Sequence, residues 1–153
     1  RNYEEGSGAK SGLDINGVSV PSFLPNVEVV KNDILDYALE IEWFDKQLDK
    51  IIKMLAAAGE LDNTIIVVTA DNGMAFPYAK ANLQEYGIHV PLAISGPGIN
   101  GKQRKVNDLV SLIDLAPTFL DMLLLEDCPI LWLIFFEGKF EYYIYVLDNI
   151  LVI

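Results

Sequence analysis

One cysteine, Cys128, and one histidine, His89, are the only thiol and imidazole in this 153-residue chain. An internal disulfide and a four-ligand Cys/His zinc site are therefore excluded. Cationic side chains are also scarce: 11 lysines and arginines stand against 22 aspartates and glutamates, a formal net charge of −11. So acidic a chain has no non-specific grip on nucleic acid or on an anionic membrane surface, and any anionic substrate needs a local cationic site. Long hydrophobic runs are missing as well. Cys128 to Phe136 is nine apolar residues with one proline, well short of the roughly 20 residues of a membrane span. Arg1 is neither an initiator methionine nor followed by an apolar leader, and the chain is expected to be a piece of a longer one.

Apolar residues make up 52% of the chain and charged residues 22%, enough at this length for one compact domain. Residues 1–26, with Gly6, Gly8, Gly12, Gly17, Pro21 and Pro25, read as an extended surface loop. From Val27 to Ala58 the residues Ile34, Ala38, Ile41, Leu48, Ile52 and Leu55 recur at helical steps, flanked by Tyr37, Phe44 and Ile51. The spacing predicts one long amphipathic helix, capped by Asn26 or Asn32 and stopped by Gly59. Asp45 falls on the apolar stripe and is expected to be buried with a hydrogen-bond partner.

Thr64 to Ala70 is an unbroken, largely β-branched run, expected of a strand covered on both faces as in a parallel sheet. Val90 to Ser95, closed by Gly96-Pro97-Gly98, reads as a second strand, and Val106 to Leu112 as a third. Asp114 is positioned to cap a helix with Pro117 in its first turn. The order predicts an α/β layered domain, mainly parallel sheet with flanking helices. After residue 122 the pattern breaks. From Asp114 onward seven acids face one lysine, and residues 123–153 form an apolar and acidic tail, strand-like or unstructured, with no domain assigned and no evident partner element. On that reading the tail is dispensable for folding.

In an open α/β sheet the C-terminal strand ends line the crevice where ligands bind, and Asp71 and Asn72 stand at such an end. A carboxylate and an amide oxygen are hard donors suited to calcium or magnesium, but calcium takes six to eight oxygens, so two ligands are an incomplete site. The alternative is that Asp71-Asn72-Gly73 is a hairpin turn. Met74-Ala75-Phe76-Pro77 does not return as an alternating strand, which weakens that alternative. Lys80, nine residues on, either presents its ammonium to an anion at the metal or is a solvated loop lysine. His89 reads as a packed or hydrogen-bonded histidine at a strand start, and Cys128 as buried and inert.

The segment Leu61 to Gly73, with Lys80-Ala81-Asn82-Leu83 and Val90-Pro91-Leu92, resembles the C-terminal part of the catalytic domain of type I sulfatases. Tyr3 to Gly8, Val20 to Asn26, Ser111 to Thr118 and the Asp-Asn-Gly-x-x-Phe-Pro pattern at 71–77 are similar to the heparan N-sulfatase branch. The resemblance covers residues 1–122 and implies a partial alkaline-phosphatase-like fold. It further implies attack on a sulfate ester or sulfamate of a sulfated saccharide by a formylglycine made from a Cys-x-Pro-x-Arg cysteine. By motif position Asp71 and Asn72 become the second pair of calcium ligands, and Lys80 a contact to the bound sulfate. The location implied is periplasmic, extracellular or lysosomal. The nucleophile motif is absent, since Cys128-Pro129-Ile130 has the wrong spacing, and the first aspartate pair and the sulfate-contacting histidine belong before Arg1. The chain is thus expected to be a fragment, truncated or frameshifted and inactive alone. Competing expectations are a phosphohydrolase of the same superfamily, against which Asn72 in place of a histidine argues, and a non-catalytic acidic interaction module.

Overall fold

A computed structural model of the chain describes residues 4–99, 104–123, 130–136 and 151–152. Cys128 and, of the tail, residues 124–129, 137–150 and 153 lie outside the described residues. The chain divides into two compact units, residues 1–51 and 52–153.

The first unit is built on helix α2, Glu28–Ala58, which follows a helical turn, α1, at Ser7–Lys10. Residues 1–26 are thus not wholly irregular. A second short turn at Ile15–Gly17 is capped by Asp14, whose carboxylate accepts the Asn16 N–H. The tie to α2 is ionic in character: Asp36, 1% exposed, accepts the N–H groups of Gly6 at 2.7 Å and Gly8 at 2.6 Å. Two charge-assisted bonds to one buried carboxylate satisfy it without a cation. Of the expected stripe Leu48 and Ile52 are buried and Ile34, Ala38 and Ile41 half-buried, while Leu35, Leu39 and the flanking Phe44 are buried as well. Asn32 lies inside the helix and caps nothing; the Lys31 N–H instead bonds the Val27 carbonyl. Gly59, at φ 75°, supplies the left-handed stop.

In the second unit, strand β1 at Thr64–Ala70 has the bounds its sequence predicts and is buried along its whole length. Strand β2, Leu92–Ser95, runs antiparallel to it, with Ile66 opposite Ser95 and Thr69 opposite Leu92. Between them lies one helical turn, α3, at Glu85–Ile88. The expectation of a mainly parallel sheet is met only in part, for the sheet is mixed. Strand β3 is only Arg104–Lys105; the expected strand at 106–112 is replaced by irregular chain and a tight turn at Leu112–Asp114. There Ser111 and Asp114 form a reciprocal capping box ahead of helix α4, Leu115–Leu123.

Strands β4, Ile130–Phe136, and β5, Leu151–Val152, complete a sheet of order β3-β5-β2-β1-β4. The tail is strand-like at 130–136, where it pairs parallel with every residue of β1. The core of the unit is Ile65, Val67, Leu92 and Ile94 beneath Leu115 and Phe119 of α4, with Ile99 packed against it. No helix among the described residues is long and apolar enough to cross a membrane.

Asp45 departs from expectation. It is only half-buried, yet its Oδ1 atom is enclosed and accepts no hydrogen bond among the described residues. Desolvation pushes its carboxyl above the usual range, Asp49 and then Glu42 push the same way, and Lys46 opposes them. Because the folded chain holds this proton more tightly than the unfolded one, the resulting penalty is absent below about pH 4 and grows as pH rises through the unfolded value toward the raised one. Asp45→Asn is therefore expected to raise the melting temperature at pH 7, with the advantage shrinking to nothing in acid. Equal advantages at both pH values, in thermal melts followed by circular dichroism, would contradict this.

Candidate functional site

β1 delivers Asp71 and Asn72 directly at its C-terminal end. The chain then runs as a closed loop, residues 71–91, back to β2. Two bonds close its neck: Thr69 Oγ1 donates to the Pro91 carbonyl at 2.8 Å, and the Gly73 N–H donates to the Gly87 carbonyl at 3.1 Å. Gly73 is required by closeness and not by backbone angle. A Cβ there would overlap the Tyr86 carbonyl oxygen and come within 2.7 Å of the Gly87 Cα. A two-residue Asn-Gly hairpin would need φ > 0 at both Asn72 and Gly73, and neither has it. The hairpin alternative is thereby removed.

Asp71 is exposed and Asn72 half-buried. Asn72 Nδ2 donates to the Gly73 carbonyl at 3.1 Å, which orients the amide and leaves Oδ1 as the oxygen without a hydrogen bond among the described residues. The Asp71 carboxylate has no ion pair or hydrogen bond among them either. A carboxylate and an oriented amide oxygen on consecutive residues fit two positions of a hard-cation shell. Among the described residues no three His, Cys, Asp or Glu side chains gather into a larger ligand set.

Lys80 is tied back toward this end of the loop by its own N–H, which donates to the Met74 carbonyl at 2.9 Å. Its ammonium is exposed and bonds no described residue. On either side stand Tyr78 at φ 63° and Ala81 at φ 61°. A non-glycine residue in this region costs on the order of 1–2 kcal/mol. Buried Phe76 and Ala79, with the Ala79 N–H to Phe76 carbonyl and Asn82 N–H to Ala79 carbonyl bonds, hold the strained backbone in place. Sequence reasoning missed this pair of strained residues, and nothing in the residue types at 78 and 81 signals them. His89 is exposed and bonded to Glu85, Nδ1 to Oε1 at 2.6 Å, so it is hydrogen-bonded as expected but not packed. Structure brings Asp71 and Asn72 together at one strand end and puts Lys80 on the same loop; no bond joins Lys80 to either.

The sulfatase family model matches residues 3–124. The chain belongs to the sulfatase family. Membership carries with it an alkaline-phosphatase-like α/β fold, of which the mixed sheet and its helices form a part. Among relatives of this sulfatase chain, human N-sulphoglucosamine sulphohydrolase is 34% identical over 105 residues, 68% of this chain and 21% of that protein. Human N-acetylglucosamine-6-sulfatase is 41% identical over 98 residues, 58% of this chain and 18% of that protein. An ulvan-active sulfatase of Formosa agariphila is 30% identical over 105 residues, 69% of this chain and 18% of that protein. The chain thus spans about a fifth of the length of the curated relatives it matches. No solved structure matches it.

The neck of the sulfatase loop yields a direct test. Gly73→Ala forces apart either the Tyr86–Gly87 backbone or the end of β1, at a cost of about 1–3 kcal/mol. Limited proteolysis should therefore cut the variant within residues 74–90 faster than the wild type at equal temperature. Unaltered cleavage would show that the neck is looser than the Gly73–Gly87 contact requires.

Proposed function

We propose that this chain supplies part of the active site of a sulfatase that hydrolyses a sulfate ester or sulfamate on a sulfated saccharide. In this reading Asp71 and Asn72 are calcium ligands and Lys80 holds the substrate sulfate. The observation that carries it is local. An oriented pair of oxygen donors at a strand end and a lysine flanked by two strained residues lie on one closed loop, in a chain of this family.

The chemistry of each side chain follows from its type. Asp71 contributes full negative charge and Asn72 a neutral carbonyl oxygen, so the pair favours a hard divalent cation without fully neutralising it. A calcium ion bound there supplies polarisation of the sulfate oxygens and compensation of their charge. Lys80 is a compact point charge on a flexible stem, suited to a tetrahedral oxyanion that presents no planar face for a bidentate arginine. Holding its neighbours at unfavourable φ fixes where the stem starts, which shortens the search its ammonium must make. The reacting nucleophile has no candidate in the sequence given, where Cys128 is followed by Pro129-Ile130.

Two of the relatives are named for glucosamine derivatives, one as an N-sulphoglucosamine sulphohydrolase and one as an N-acetylglucosamine-6-sulfatase. They support a sulfated glucosamine as the substrate class, in the manner of glycosaminoglycan degradation. The reading is tested in a chimaera in which residues 1–122 replace the matching segment of human N-sulphoglucosamine sulphohydrolase. A charge-assisted contact to sulfate is worth about 1.5–3 kcal/mol. Lys80→Ala in that chimaera should lower kcat/KM by about tenfold or more with little change in melting temperature. Unchanged kinetics would return Lys80 to a solvated loop lysine.

A further inference from the structure

Loop 71–91 carries four ionisable side chains of note, and the reading above uses only Asp71 and Lys80. The other two, Glu85 and His89, are paired with each other at 2.6 Å, one turn apart across α3. A carboxylate oxygen has no proton to give, so the His89 Nδ1–H donates and the ring edge bearing Nε2 faces away from the pair. Exposures of 68% and 69% make the pair nearly worthless for stability. Its position is more informative. The Gly73 N–H to Gly87 carbonyl bond lays the 85–89 turn beside the residue that follows Asn72, at the same end of β1. In a chain carrying twice as many acids as bases, Lys80 and His89 are the only side chains of this loop able to bear positive charge.

Resting on the sulfatase reading above, we propose that His89, oriented by Glu85, binds a second anionic group of the saccharide, separate from the sulfate held by Lys80. Protonated, the imidazole donates through Nε2 to an anionic oxygen while Nδ1 stays bound to Glu85. The carboxylate partner fixes the ring, so a protonated His89 is a positioned cation where a lone surface histidine is a mobile one. Carboxylate and sulfate offer the same kind of acceptor oxygen, so the shared requirement is an anion at a set distance from the first sulfate. His89 is thus a specificity residue and touches no reacting bond.

His89 is the sole histidine, so its ring resonances in the full 153-residue chain are unambiguous. The chain, labelled with nitrogen-15 and kept in mildly acidic buffer with calcium, is titrated with three disaccharides of glucosamine N-sulfate. The neighbouring sugar is neutral in the first, carries a carboxylate in the second and carries a sulfate in the third. All three should shift Lys80 resonances. Only those with a second anion should shift the His89 ring, and His89→Gln should weaken them about threefold to tenfold while leaving the first unchanged. Glu85→Gln should reduce the ring response without abolishing it. A response from only one of the two dianionic sugars identifies the group bound and still supports the inference. Lys80 shifts with a silent His89, or equal ring shifts with all three sugars, would overturn this inference and leave the sulfatase reading intact. Silence at both Lys80 and His89 would overturn the two together.

Discussion

Everything proposed for this chain depends on the close approach of Gly73 to Gly87. β1 and β2 are antiparallel neighbours, so the ends of the connecting loop are already adjacent, but adjacency alone would leave residues 71–91 free to spread. The Gly73–Gly87 bond and the Thr69–Pro91 bond convert them into a closed loop standing on the rigid end of a fully buried strand. A side chain at residue 73 would prop the neck open. With the neck shut, Asp71 and Asn72 have a fixed origin, and the Lys80 backbone is drawn back to Met74. Strain at Tyr78 and Ala81 is sustained because Phe76 and Ala79 are buried beneath it.

Charge explains why positioning matters more here than in a balanced chain. At a net charge of −11 the long-range field repels a sulfated sugar, and only local cations reverse it. A bound divalent ion, Lys80 and a protonated His89 would be three such cations on one loop. In the first unit Asp36 is satisfied by the amide groups of Gly6 and Gly8, a tie that spends no cation. Asp45, with an enclosed and unbonded oxygen, is disfavoured in its charged form by desolvation.

How far the sequence could be read depended on the range of the interaction involved. Helix α2 and strand β1 were legible because their periodicity and β-branching act within a few residues. On α2 the expected Leu48 and Ile52 are buried, whereas the deeper burial of Leu35 and Leu39, and the tie from Asp36 to residues 28 and 30 positions earlier, leave no mark on a hydrophobic stripe. A run buried on both faces is compatible with a mixed sheet as well as a parallel one, and Thr64–Ala70 has one neighbour of each direction. The capping box Ser111–Asp114 was present in the letters but overridden by the apolar appearance of 106–112. The roles proposed for Asp71, Asn72 and Lys80 rest on family resemblance, whereas the strain around Lys80 and the His89–Glu85 pair exist only in three dimensions.

The central claim is that Asp71 and Asn72 form part of a calcium shell and not a turn, and calorimetric titration of the full chain with calcium tests it most directly. Two hard-oxygen ligands of the six to eight that calcium takes should give weak binding that Asp71→Ala removes, while Asp62→Ala, a change at an acid outside the loop, leaves it alone. Tight stoichiometric calcium binding that survives Asp71→Ala would mean that the ligands lie elsewhere in the chain, and the account given for the loop would be wrong.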